Sequence, residues 1–291
     1  MPVLQETAFA SMRMAIKSCL NNVKGIVCIY CYFWHIGLTV AQIVEHTPTP
    51  LFVQVSECWL TLQDFMVKPQ YINRVTGVVC ASGKNREESI EANLTDLAKA
   101  TTIVNGYRSD EFPQMNKTEC RANLGFPKDK FIVGFVGGFI ERKGVKQLCS
   151  ALDRFDDVYS FFIGTGDEPP TCKNILFTGK VPHNQISLYL NAANVFVLPT
   201  RAEGCCNAII EALACGLPVV SSDKSFNDEI LNNDCSIRVD EASVDYIYEA
   251  IRRIKDDHLL TQKMQTAALK KTKELMIEHR AKAIKAYVEK V

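Results

Sequence analysis

Short apolar runs alternate with segments of helical period along the last two thirds of the chain. The runs predict strands in FIVGFVG (131–137), VYSFFIG (158–164), NILFTG (174–179), NVFVLPT (194–200) and LPVVSS (217–222). The segments between them predict helices at 146–155, 184–193 and 207–215, and residues 242–291 are predicted to be helical throughout. Continuously apolar strands that alternate with helices are typical of a parallel sheet covered on both faces, so the pattern predicts an α/β fold.

The first third shows the same alternation more weakly. It predicts a helix at about 6–23, strands at 51–57, 75–83 and 101–106, and a helix at 85–94. The apolar stretch at 25–44 is long enough to cross a membrane, but His35, Gly37 and Gln42 interrupt it. We therefore interpret it as a buried strand followed by a helix, and a membrane-spanning helix is the less favoured alternative.

A polar segment at 107–130 contains two prolines and no long apolar run, which favours a link between two domains. A chain of 291 residues is long enough for two modest domains. The predicted division is 1–112 for the first domain and 113–275 for the second, with 276–291 as a closing helix.

Composition excludes several classes of protein. The 33 basic and 33 acidic residues give zero net charge, which leaves no electrostatic footprint for nucleic acid. Basic residues are denser at 270–290, where a solvated helix face is favoured over contact with an anionic membrane. The 12 cysteines fit a reducing cytosol, and the CIYC pair Cys28 and Cys31 has no second pair to complete a zinc site.

Two glutamates in RAEGCCNAIIEALACGLPVV (201–220) raise the first chemical question. Ligands of parallel sheets bind beyond the carboxyl ends of the strands, and Glu203 lies in the loop that follows a strand. Asn207 is predicted as the N-cap of the next helix and Gly216 as its C-terminal stop, which places Glu211 about one turn inside that helix.

The backbone N–H groups of Gly204, Cys205 and Cys206 are expected to point outward at the positive end of this helix, where an anionic or hydroxyl-rich ligand is stabilised. Carboxylates there suit paired sugar or ribose hydroxyls. The alternative is a capping glutamate and a helix-surface glutamate, and spacing alone favours that alternative.

Three further loops follow strand ends at the same edge. Arg142 and Lys143, in GFVGGFIERKGV, could neutralise a diphosphate, although a solvated basic turn is an equal alternative. GTGDEP contains Gly164 and Gly166 but does not complete G-x-G-x-x-G, so NAD is poorly supported. A flat base could rest on the backbone of the turn formed by Gly179, Lys180 and Val181.

Taken together, residues 131–222 resemble the donor-binding domain of retaining glycosyltransferases of family GT4, which have the GT-B fold. The motifs are FVGGFIERKGV, FIGTGDEP, the run from LFTGKVPH to GLPVVSS, and upstream VNGYRSDEF. Glu203 and Glu211 fall on the two glutamates of the family's E-x7-E signature. The fold that this resemblance implies is two Rossmann-like domains.

The resemblance also implies roles for the residues. Glu203 and the N–H groups that follow it would hold the donor sugar, Glu211 the ribose, and Lys143 with Arg142 the diphosphate. Glu203, Lys143 and Arg142 would be the catalytic residues. The remaining donor-binding candidates are Asn207, Gly138, Gly164, Gly166, Gly179, Lys180 and Val181. No cofactor and no metal is implied, and the chain has no D-x-D triplet. The implied partners are a nucleotide-diphosphate sugar and a glycan or lipid-linked acceptor.

The chain departs from the family in three places. Gly138 stands where the family has an arginine, for which Arg142 is the nearest substitute. Ser56 and Glu57 stand where a histidine commonly follows a strand of the first domain, and both are acceptor-side candidates. Nothing before residue 25 resembles the family's first strand and glycine-rich loop, so the N-terminal domain is expected to be incomplete. The segment 279–291 resembles the family's last helix, which returns to that domain.

The first hypothesis is therefore a retaining glycosyltransferase of cell-surface polysaccharide synthesis, in the cytoplasm or peripheral at the inner face of the membrane. The second is a nucleotide-sugar-binding remnant or subunit without transfer activity. An NAD enzyme and a sugar-nucleotide epimerase are more distant alternatives. The base, sugar, acceptor, linkage and oligomeric state depend on residues outside the matched motifs.

Overall fold

The computed structural model describes residues 2–62 and 66–291, with the backbone alone for 2–9. The chain forms two compact units. Unit 1 extends to Ile103 and also includes Lys282–Val291, whereas unit 2 is Val104–Ala281.

Unit 1 is built on a four-stranded parallel sheet in the order β1-β2-β3-β4. Its elements are α1 (Pro2–Asn21), β1 (Ile29–Tyr32), α2 (Trp34–Ile43), β2 (Leu51–Val55), α3 (Pro69–Asn73), β3 (Gly77–Cys80), α4 (Gly83–Glu91) and β4 (Ala100–Thr102). The stretch at 25–44 is a strand followed by a helix, as predicted. Strands β2 and β3 are buried at every position, because helices cover both faces of a parallel sheet.

Unit 2 is built on a six-stranded parallel sheet in the order β10-β9-β8-β5-β6-β7. Its elements are α5 (Lys117–Leu124), β5 (Phe131–Val136), α6 (Val145–Leu152), β6 (Val158–Ile163), β7 (Ile175–Gly179), α7 (His183–Ala192), β8 (Val195–Leu198), α8 (Asn207–Ala214), β9 (Val219–Ser222), β10 (Ser236–Val239), α9 (Val244–Asp256) and α10 (His258–Thr272). The prediction of an α/β fold is confirmed. Strand β10 was not predicted, because its sequence SIRV is short and only half apolar.

The interpretation of 107–130 as a link is wrong for its second half, which contains helix α5. The Asn116 side chain caps this helix by accepting from the N–H groups of Thr118 (2.9 Å) and Glu119 (3.2 Å). Arg121 is buried and donates to the carbonyl of Ala192 at 2.9 Å. Polar contacts thus anchor this helix, so it lacks the apolar run that a sequence pattern detects.

The first and last segments of unit 2 lie side by side. The N–H of Tyr107 donates to the carbonyl of Leu275, and the N–H of Ile277 donates to the carbonyl of Tyr107, each at 2.9 Å. A Cβ at Gly106 would lie 2.9 Å from the Cα of Ile277, so the approach requires glycine. The closing region is not one continuous helix, because α10 ends at Thr272 and helix α11 (Ile277–Lys290) begins only at the second of these hydrogen bonds.

The second part of helix α11, from Lys282 on, belongs to unit 1 and packs on its sheet. The Tyr287 ring meets Phe52 edge to face at 6.0 Å, and its hydroxyl accepts from the N–H of Val78 at 3.1 Å. Across the described residues, no helix combines the length and the apolar character that a membrane span needs.

Candidate functional site

The loops at the carboxyl ends of β5, β6 and β7 are joined through their backbones. The N–H of Gly137 donates to Ile163, that of Phe139 to Thr165 and that of Gly164 to Gly179, each at 2.9 Å. The three predicted glycine-rich loops are therefore one continuous surface at the edge of the sheet where ligands bind in such folds.

Glycine permits this close association. A Cβ at Gly164 would lie 1.9 Å from the carbonyl oxygen of Gly137, and one at Gly166 would lie 2.2 Å from that of Phe139. Gly138 differs, because its nearest neighbours would be 3.8 Å from a Cβ, which is ordinary van der Waals contact. The GTG fragment thus has a definite packing role, and donor binding by Gly164 and Gly166 stays a prediction.

The loop after β5 is also fastened to the loop after β8. Gly144 has a φ of +70°, and a Cβ there would lie 2.3 Å from the carbonyl oxygen of Pro199. The N–H of Arg201 donates to the carbonyl of Arg142 at 2.8 Å. These contacts place the short 3-10 helix Glu141–Lys143 against the loop after β8, which carries Glu203.

Lys143 and Arg142, both half-buried, contact the buried carboxylate of Glu203. Glu203 is 7% exposed, and its Oε1 accepts from Lys143 Nζ and from the Thr200 hydroxyl at 2.8 Å. Arg142 lies 3.3 Å from the same oxygen and also donates to the carbonyl of Ala202. Burial disfavours an ionised carboxylate, and here two cations and a hydroxyl offset that penalty. The three residues that the resemblance assigned to catalysis are thus in direct contact.

Glu211 lies on α8 with its carboxylate beside His183. Its side chain is 12% exposed, and Oε1 lies 3.3 Å from His183 Nε2. Burial raises the pKa of Glu211 above its ordinary value, and the neighbouring His183 partly opposes that shift. The other nitrogen of His183 lies 3.5 Å from Glu111 Oε2. Sequence reasoning missed both His183 and Glu111, although His183 lies two residues after the turn at 179–181.

The start of α8 differs from the prediction. The N-cap residue is Cys206, whose side chain makes no capping bond, and Asn207 is the first helical residue. Asn207 is therefore not the cap, because a residue with helical backbone cannot fold back onto the next free N–H groups. Its Oδ1 instead accepts from Asn105 at 2.8 Å. Gly216 is confirmed as the stop, with a φ of +75° after the C-cap Cys215.

The N–H groups of Gly204, Cys205 and Cys206 donate to no group in the described part of the chain. They lie beside the buried Glu203 at the N-terminus of α8, where partial positive charge accumulates. This edge of the sheet therefore combines backbone donors, two cations and two carboxylates, which is the chemistry that phosphates and hydroxyls need.

The turn at 179–181 follows β7 at the same edge. Gly179 ends the strand with a φ of +139°, and its carbonyl accepts from Gly164. Lys180 is exposed, and Val181 packs against the core of unit 2. Contact of this turn with a base stays a prediction.

The acceptor-side candidates Ser56 and Glu57 follow β2 in unit 1. Glu57 Oε1 accepts from the N–H of Trp34 at 2.7 Å, and Oε2 accepts from the N–H of Ser56 at 2.9 Å. Glu57 therefore caps α2, whose own N-cap residue Phe33 supplies no side-chain acceptor. Burial raises the pKa of Glu57, and the two backbone hydrogen bonds oppose that shift. An acceptor role for these residues stays a prediction beside this structural one.

Comparison with known proteins agrees with this arrangement. Residues 116–271 match the family described as "Glycosyl transferases group 1". The "Putative teichuronic acid biosynthesis glycosyltransferase TuaC" of Bacillus subtilis is 32% identical over 187 residues, covering 62% of this chain and 47% of that protein. The "Capsular polysaccharide biosynthesis glycosyltransferase CapM" of Staphylococcus aureus is 25% identical over 249 residues, covering 77% of this chain and 65% of that protein. Against the first of these relatives, the chain spans about half of the relative's length.

Solved structures show the same fold. Sucrose-phosphate synthase from Thermosynechococcus elongatus aligns with a TM-score of 0.81 at 19% identity, covering 97% of this chain and 77% of that one. HepE from Anabaena, solved in complex with UDP and glucose, aligns with a TM-score of 0.78 at 15% identity, covering 97% and 81%. The fold is GT-B, with two Rossmann-like parallel sheets, as the sequence motifs implied.

Proposed function

The chain belongs to the glycosyl transferases group 1 family, and from this premise we propose that it is a retaining glycosyltransferase of the GT4 type. In this proposal it transfers a hexosyl unit from a nucleotide-diphosphate sugar to a glycan or lipid-linked acceptor. The observation that carries the proposal is the contact of Glu203 with Lys143 and Arg142 beside the N-terminus of α8.

Different side chains bind different parts of the donor. Lys143 and Arg142 bind the diphosphate and stabilise the negative charge that develops as it leaves, without a metal ion at that position. The carboxylates accept hydrogen bonds from hydroxyls, Glu203 from those of the sugar and Glu211 from those of the ribose, because a carboxylate accepts several hydrogen bonds at once. The base lies against the turn at 179–181.

The relatives support the biological setting. TuaC and CapM are named for teichuronic acid and capsular polysaccharide synthesis, so we propose cell-surface polysaccharide as the destination of the sugar. Nucleotide sugars are cytoplasmic donors in this proposal, and the acceptor is met at the inner face of the membrane.

The test is a donor panel followed by transfer. UDP, GDP and ADP and their glucose esters are added to the purified chain, and the melting temperature is recorded, since a ligand of the native state raises it. The nucleotide that shifts the melting temperature is then used as its sugar ester with lipid-linked acceptors, and the anomeric configuration of the product is read by NMR. Transfer with retention is expected. Binding without transfer to any acceptor would favour the binding subunit instead, and no binding would refute the proposal.

A further inference from the structure

Lys143 is paired with a carboxylate of its own chain. Lys143 is only 14% exposed, and its ammonium group contacts Glu203, whose side chain is 9% exposed. Under the proposed function, the same ammonium group must bind the diphosphate of the donor. A diphosphate placed beside an ionised carboxylate would repel it, so binding favours separation of Lys143 from Glu203.

Separation leaves Glu203 short of partners. The carboxylate keeps the Thr200 hydroxyl at 2.8 Å, but in a buried position it loses its contact with Lys143. Arg142, 3.3 Å from the same carboxylate, is attracted to the diphosphate as well under the proposed function. A buried charge that loses a partner is strongly disfavoured unless another donor replaces that partner. Hydroxyls of the donor sugar can donate to this carboxylate, and the nucleoside diphosphate that is left after sugar transfer lacks those hydroxyls.

We propose that Glu203 is a specificity determinant that exchanges partners. Lys143 leaves it for the diphosphate, and hydroxyls of the donor sugar take the place of Lys143. This inference rests on the proposed function. Its consequence is that the site discriminates between the sugar-bearing donor and the sugar-free product, although both carry the same nucleoside and diphosphate. Product is thereby released after transfer, because the carboxylate recaptures Lys143.

The test compares Glu203→Gln with the native chain in titration calorimetry with UDP and UDP-glucose. If GDP or ADP gives the larger melting shift, that nucleotide and its glucose ester are used instead. The amide has no charge to leave unpaired, so the variant is expected to bind the sugar-free nucleotide about tenfold more tightly (roughly 1.4 kcal/mol). It is expected to bind the sugar ester about three- to tenfold more weakly, because the hydroxyls lose a charged acceptor.

The matched control is Glu141→Gln. Glu141 belongs to the same loop, but its side chain is 71% exposed and pairs with Arg201 at 2.7 Å. The same chemical change there is expected to alter neither dissociation constant.

The proposal requires that Glu203→Gln changes the two affinities in opposite directions, with tighter binding of the sugar-free nucleotide and weaker binding of the sugar ester. Tighter or weaker binding of both ligands by Glu203→Gln would overturn the exchange and leave the donor site intact. If neither the native chain nor either variant binds any of the nucleotides or sugar esters, the proposed function is overturned as well. If Glu203→Gln does not fold, a crystal structure of the native chain with the sugar-free nucleotide decides. Lys143 Nζ is expected on a phosphate oxygen and more than about 4 Å from Glu203, beyond ion-pair distance. An ion pair that persists beside bound phosphate would refute the exchange.

Discussion

Replacing Glu211 by glutamine tests the proposed ribose contact by removing the charge of one side chain. Hydrogen bonds to a charged group contribute about 1.5–3 kcal/mol each, and neutral ones about 0.5–1.5 kcal/mol. The substitution therefore removes roughly 1 kcal/mol for each of two ribose hydroxyls, or about 2 kcal/mol in total. That loss corresponds to about a 30-fold increase in the dissociation constant.

The assay is the melting temperature at a fixed nucleotide concentration. At about 100 times the native dissociation constant, binding stabilises the native chain by about 2.7 kcal/mol, and a 30-fold weaker variant gains only about 0.9 kcal/mol. For a unit of this size, 1 kcal/mol shifts the melting temperature by about 2–4 °C. A native shift of about 5–10 °C should thus fall to about 2–3 °C in Glu211→Gln.

The ligand-free variant should remain fully folded. Burial raises the pKa of Glu211 in the native state, so its contribution to stability is present below the ordinary glutamate range and is lost as the pH rises through the raised value. Glutamine removes this buried charge, so the ligand-free variant should melt no lower than the native chain at pH 7. Glu111→Gln, on the other side of His183, is the control and should keep most of the nucleotide shift. A full shift in Glu211→Gln would refute the ribose contact.

The remaining predictions concern pH and packing. Nucleotide-sugar affinity should fall as the pH drops through the raised pKa of Glu211, and calorimetry of Glu211→Gln should show no such fall. Gly164→Ala places a Cβ 1.9 Å from a carbonyl oxygen and should lower the free energy of unfolding by about 1–3 kcal/mol. Gly137→Ala meets no atom closer than a Phe135 ring carbon at 3.5 Å and should be nearly neutral in urea denaturation. Glu57→Gln leaves one of two half-buried N–H groups without an acceptor and should lower the free energy of unfolding by about 1–3 kcal/mol. An unchanged midpoint in urea denaturation would contradict the capping role.

The sequence predicted the fold where apolar periodicity and chain order coincide. Strands such as Phe131–Val136 and Val158–Ile163 are largely apolar because helices cover both faces of the sheet. An apolar run in the sequence therefore indicates their burial. The same reasoning missed Ser236–Val239, an edge strand with polar positions, and helix Lys117–Leu124, which is anchored by the buried Arg121. Elements held by polar contacts carry little apolar signal.

The candidate site shows a similar division. Spacing and strand order brought Glu203 and Lys143 to one edge of the sheet, and the structure places them in contact. The pairing of Glu211 with His183 depends on how α7 and α8 pack, which no local pattern specifies. The error at Asn207 has a local cause, because the helix begins one residue earlier than the prediction assumed, so that a good capping residue lies in its first turn.

The paired backbone at Tyr107 and Met276 bears on protein engineering. A fragment cut from the chain at these points would have its two ends hydrogen-bonded side by side. Domains with adjacent termini tolerate circular permutation and insertion into other proteins. The fragment that contains Glu203 and Glu211 is therefore suited to two uses. A short linker can join its ends into a circular chain, or the fragment can be inserted into a surface loop of a host protein.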